Sequence, residues 1–175
     1  MRLLYITALC LGLSVAAHAA PRTIDWLDLL PDEDYQAMLD MPEIGHEGDE
    51  EAPGDFSQTL RQRDDLPEVM YSTRVVDSMD AQELKIAGFP VPLETNERGD
   101  YTSFFLVPYA GACIHVPPPP PNQIILVDYP QGIRIDDIYE AFWMAGTLHI
   151  DQTSNELADA SYRFDAERVW VYDGE

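Results

Sequence analysis

Basic residues are scarce in this 175-residue chain: 10 Lys and Arg stand against 32 Asp and Glu, for a formal charge of −22. A field of that sign repels nucleic acid and anionic lipid and attracts cations or basic partners, so nucleic-acid binding is excluded. Thiols are scarcer still, with only Cys10 and Cys113. There is no Cys-x-x-Cys pair, no nucleophile elbow and no other thiol-hydrolase signature. The acidic run His46 to Glu51 lacks the ordered spacing and closing glutamate of an EF-hand, which excludes that mode of calcium binding. Past the first twenty residues no apolar run could span a bilayer, and no internal repeat is present.

The first twenty residues read differently. Arg2 precedes an uncharged apolar run from Leu3 to Ala17, closed by Ala17-His18-Ala19. A basic start, an apolar core and small residues at −3 and −1 make a cleavable secretory signal, residues 1–19. The run is short for a membrane span, and Leu9 before Cys10 is not the small residue that lipid modification of a cysteine requires. Cleavage removes Arg2 and Cys10, taking the charge to −23 and leaving Cys113 as the only thiol. No internal disulfide is then available. A lone thiol in an oxidising compartment is expected to be buried, metal-bound or paired with another chain.

The remaining chain is of one-domain size and needs neither disulfide nor metal to fold. Residues 20–70 read as an N-terminal arm and 71–175 as a β domain. In the arm, Ile24 to Leu30 is an apolar anchor with Asp25 and Asp28 set into it. Pro31-Asp32-Glu33-Asp34 starts a helix, with acids at the positive end of its dipole, and Pro42 stops it. Residues 43–55 form an acidic loop. In the second part the pattern predicts strands at Thr73 to Val76, Leu84 to Leu93, Tyr101 to Val107, Gln123 to Asp128 and Phe142 to His149. One or two more come from Tyr162 to Phe164 and Val169 to Tyr172. Pro90 and Pro92 each remove a ladder donor, which calls for an edge or a bulge. Asp136 to Glu140 reads as one helical turn. This order fits a mainly β fold, a small OB-like barrel of five to six strands with an N-terminal helical arm; a β-sandwich is the alternative. Gly88 and Gly146, both mid-strand, mark tight corners or close backbone approach.

One stretch concentrates chemistry: Ala112-Cys113-Ile114-His115-Val116, then Pro117, Pro118, Pro119, Pro120 and Pro121, then Asn122-Gln123. Proline fixes φ and offers no donor, so the five form a strut of roughly 15 Å that sets Cys113 against Asn122 and Gln123. The same prolines and the two amides could instead engage the aromatic groove of a partner. In an extended segment Cys113 and His115 share a face. Thiolate and imidazole suit zinc and Cu(I), with His149 as a third ligand and a carboxylate or His46 to complete the cluster. The alternatives are a buried thiol beside a hydrogen-bonded histidine, and a cysteine nucleophile with His115 or His149 as base. Trp143, Phe142, Phe104 and Phe105 read as core, and Trp26 as a docking anchor.

The motifs Ile86-Ala87-Gly88-Phe89, Phe105-Leu106-Val107-Pro108-Tyr109 and Ala112 through Gln123 resemble a family of exported bacterial proteins known as domain of unknown function 3299. Asp25 to Pro31 and Ala145 to Leu148 resemble its flanking motifs. The resemblance implies a periplasmic location and a metal-linked accessory role beside metal-uptake or ABC-export machinery. It supplies no catalytic residue. Together these readings lead to a periplasmic binding or accessory protein, not an enzyme, handling zinc or copper through Cys113 and His115. Two alternatives are an interaction module for an exported part of a membrane transporter, and a thiol-dependent enzyme.

Overall fold

The computed structural model describes residues 20–41, 66–112 and 118–174. The signal segment, His46 and the run Cys113 to Pro117 lie outside the described residues.

The apolar anchor enters the body as read from sequence. Arg22–Thr23 (β1) pairs in parallel with Leu84 and Lys85. The two anchor acids then start a single 3₁₀ turn, Trp26–Leu29. Asp25 Oδ1 accepts from Leu27 N at 3.1 Å while Asp25 N donates to Asp28 Oδ2 at 2.9 Å, a reciprocal capping box. The turn points Leu29 into the core, where it is fully buried. Trp26 docks through its indole, Nε1 donating to Ala87 O at 2.7 Å. The helix begins after Pro31 as expected and runs Asp32–Leu39 (α1).

Five strands close a barrel: Gln82–Thr95 (β2), Tyr101–Val107 (β3), Ile125–Ile133 (β4), Phe142–Ser154 (β5) and Asp159–Val171 (β6). Their order is β2-β3-β4-β6-β5 with β5 returning to β2, and β6 runs parallel to β4. This is the connectivity of an OB barrel, with β1 as an additional strand. Period-two alternation fills its interior with Ile86, Phe104, Leu106, Val127, Met144 and Phe164.

Both glycines singled out in the sequence are steric requirements. A Cβ on Gly88 would lie 2.8 Å from Leu106 Cγ and from Val107 O; one on Gly146 would strike Asp165 O. Gly88 is also where β2 changes partner, from β5 to β3. Beyond it β2 pairs on one side only, and Pro90 and Pro92 fall in this stretch, next to register shifts between Pro92 and Thr95.

Two local expectations are corrected. Thr73 to Val76 is no strand. Both edges of the nearby β6 are taken by β4 and β5, so this segment is held by side chains instead: Val76 N donates to Tyr162 Oη at 2.8 Å and Ser161 Oγ to Thr73 O at 3.4 Å. Asp136 to Glu140 is a turn and not a helical one. Glu140 N donates to Asp137 O at 3.2 Å and Tyr139 N to Asp137 Oδ1 at 2.8 Å, a single hydrogen-bonded turn that is not repeated by a second. The strands also run longer than the sequence suggests. The two C-terminal fragments are one strand, β6, with a register shift opposite Ala145 and Gly146.

Candidate functional site

The outward-facing side chains divide the barrel wall into three areas. On β2, β5 and β6, Lys85 lies 3.9 Å from the Trp143 ring and 5.6 Å from that of Trp170, while Tyr172 leans on Trp143 at 5.1 Å. Trp143 is thus buried under neighbours on the outer wall, with Phe142 and Phe104 in the barrel interior and Phe105 in a second buried cluster. On β4, β5 and β6 the wall is charged. Arg163 donates to Asp128 at 2.7 Å and pairs with Asp165 at 3.1 Å and Asp151 at 3.8 Å. The charges of Asp128 and Asp165 hold its guanidinium protonated still more firmly than usual. The third area, on β2, β3 and the start of β4, is apolar. It is built from Phe89, Val91, Phe105, Val107 and Ile124, with Ala158 and Ala160 across from them.

The proline segment is described at its two ends, which border this apolar area. It departs from Ala112, which is buried, and returns through Pro118 to Pro121, also buried. A 3₁₀ turn, Pro121–Gln123, then feeds β4. Asn122 is fully buried. Its backbone N–H donates to Ser72 O at 3.2 Å, and its Nδ2 donates to Arg74 O at 2.9 Å and to Asp34 Oδ2 at 2.7 Å. Gln123 Nε2 reaches Trp26 O at 3.1 Å. The loop end is therefore tied to α1, to segment 72–76 and to the anchor turn.

Asp34 is the centre of that knot. It also accepts from Ser72 Oγ at 2.6 Å and from Arg74 Nε at 2.8 Å, and Arg74 Nη2 forms a second bond. Burial on its own would raise the Asp34 pKa. The Arg74, Ser72 and Asn122 hydrogen bonds and the Arg74 charge outweigh it and hold the carboxyl below its ordinary value. Sequence reading placed Asp34 among the dipole-facing acids of a helix start and missed this role. A signal was present in that Ala37 and Met38, three and four positions on, share the side of α1 that carries Asp34, but its partners lie 38 to 88 positions away.

The predicted site residues are thus dispersed. Pro118 to Pro121, Asn122 and Gln123 are buried, where they were read either as a strut or as a surface for a partner's groove. Their place agrees with a strut. His149 lies in the charged area, with Nε2 3.3 Å from Asp165 Oδ2. Cys113, His115, His46 and Pro117 fall outside the described residues. Among the described residues no three His, Cys, Asp or Glu side chains are grouped to hold a metal ion. No helix among them is long and apolar enough to cross a membrane.

The barrel connectivity and the internally clamped proline loop define a class: a small OB-type barrel with an N-terminal segment built into its wall. Within it, the chain belongs to the family described as "Protein of unknown function (DUF3299)", whose model matches residues 26–171, from the anchor tryptophan to the last residue of β6. A solved structure of a DUF3299 family protein from Pseudomonas aeruginosa PAO1 is 36% identical, with a TM-score of 0.62, covering 90% of this chain and 99% of that one. No curated protein matches the chain.

Proposed function

We propose that the chain is an exported, periplasmic binding protein that handles zinc or copper through Cys113 and His115 and passes it to an exported part of a membrane transporter. The supporting observation is the investment in the loop that carries them. Ala112 on one side and Pro118 to Gln123 on the other are buried, and the far end is tied down by a buried carboxylate. The residues flanking Cys113 and His115 on both sides are thus built into the barrel, the kind of surrounding support that ligand positions need.

Thiolate and imidazole are the donors zinc and Cu(I) favour. Two ligands from one chain leave coordination positions for a donor from another molecule, which suits transfer over permanent storage. The negative charge of the chain concentrates cations around it.

The test is elemental analysis of the signal-free protein after equilibration with zinc or Cu(I), with Cys113→Ser and His115→Ala alongside. One equivalent bound by the wild type and lost in both variants supports the reading. Equal metal in all three proteins, or none in any, overturns it. Fast alkylation of Cys113 near neutral pH in metal-free protein that never binds metal would indicate thiol chemistry instead.

A further inference from the structure

Beside the proline loop, a groove of about 400 Å³ opens along β2. All five consecutive residues from Phe89 to Leu93 line it, so it follows the strand's edge and not one of its faces. Four residue steps give it a length of roughly 13 Å. Val107 stands at one end, opposite Phe89, and Ile138 and Leu157 contribute to the walls.

We propose that this groove binds an uncharged, elongated apolar molecule, of the class of an acyl chain with a neutral head. Three observations select that occupant. First, among the described residues no charged side chain lines the groove, so neither a carboxylate nor an ammonium finds a counter-ion among them. The hydroxyls come from Tyr101 and Tyr109, and burial pushes Tyr109 up to about 12, keeping it neutral although 36% of its surface stays exposed. Second, the edge is blocked for a protein strand. Past Gly88, β2 pairs with β3 alone, yet Pro90 and Pro92 carry no N–H, so an incoming peptide would meet an incomplete ladder. Third, the charge of −22 repels anionic amphiphiles and anionic membranes, and a cationic head drawn in by it would meet no carboxylate among the described lining residues, so a neutral molecule fits best. The volume falls within the range of small-ligand sites. This inference does not depend on metal binding at Cys113.

The probe is 1-N-phenylnaphthylamine, an uncharged fluorophore, titrated into the full signal-free chain, with the anionic 8-anilinonaphthalene-1-sulfonate in parallel. The expected result is saturable one-site binding of the neutral probe, displaced by monodecanoylglycerol, and at least tenfold weaker binding of the anionic one. Val91→Trp fills the groove and should weaken the neutral probe at least tenfold with an unchanged circular dichroism spectrum. Leu157→Gln, at the wall, provides the same comparison should Val91→Trp fail to fold. No saturable binding to the folded monomer, equal binding of both probes, or indifference to both substitutions overturns the proposal. So does loss of probe binding with rising protein concentration alongside a dimer in sedimentation, which would make a second copy the occupant.

Discussion

Asn122 Nδ2 donates to Asp34 Oδ2 at 2.7 Å, joining two fully buried residues 88 positions apart in the chain. This bond links the helix of the N-terminal segment to the end of the proline loop, and its partners have no alternative in water. Asp34→Ala leaves Asn122 Nδ2 with the Arg74 carbonyl alone and strips Arg74 of its closest anion. The expected loss is about 3 kcal/mol. Asn122→Ala removes one of several donors to Asp34 and should cost about 2 kcal/mol. Urea unfolding followed by tryptophan fluorescence measures both.

The same carboxylate makes part of the stability depend on acid. Its folded-state pKa lies below the ordinary 3.8, so its contribution is complete above that value. The contribution fades as pH falls through the depressed folded value, because the unfolded chain takes up the proton first. Melting temperatures of wild type and Asp34→Asn from pH 7 to pH 2 should therefore differ by a constant amount above about pH 5 and converge below. A gap that stays constant to pH 2 would remove Asp34 from the acid response.

Gly146 and Gly99 should respond in opposite ways to the same methyl group. At Gly146 a Cβ meets the Asp165 carbonyl and lies 3.0 Å from Ala166 Cα, both rigid backbone within the β5–β6 pair. Gly146→Ala is expected to cost about 3 kcal/mol or to prevent folding. Gly99 sits in the β2–β3 turn with φ +82° and nothing within 4 Å of the added carbon, so Gly99→Ala carries only the left-handed backbone penalty of about 1–2 kcal/mol. Equal midpoints for the two variants in urea would contradict the steric account.

Tyr162 is fully buried in the barrel. Its hydroxyl donates to Leu29 O at 3.1 Å and accepts from Val76 N at 2.8 Å, bridging the anchor turn and segment 72–76. Tyr162→Phe keeps the ring and orphans both backbone groups, for an expected loss of about 2 kcal/mol. Faster amide exchange confined to Val76 and its neighbours would show where the loss falls.

What could be read from the sequence follows the range of the interactions involved. Alternation and turn residues lie within a few positions of each other, so Tyr101–Val107 was legible to its last residue and Gly88 and Gly146 to their steric purpose. The helix from Pro31 was legible because dipole and proline signals are local. Thr73 to Val76 looked like a strand because β-branched residues favour extended backbone, but pairing depends on an available edge, and sequence does not show which edges are filled. Asn122 and Gln123 were legible as the far end of the proline strut, and their buried partners were not. Their partners, Asp34 and the Trp26 carbonyl, are 88 and 97 residues upstream, beyond the reach of any pattern.

β6 is the last strand in the chain and yet sits between β4 and β5. As the chain emerges from its N-terminus, the edges of β4 and β5 that β6 will fill stay open until residues 159–171 appear. Closure must therefore wait until β6 has been made, and lengths that stop short of it are left with unpaired edges prone to self-association. A truncation that removes β6 should not give a smaller barrel but an aggregating chain, and a chaperone acting on this protein has to hold it until residues 159–171 are delivered.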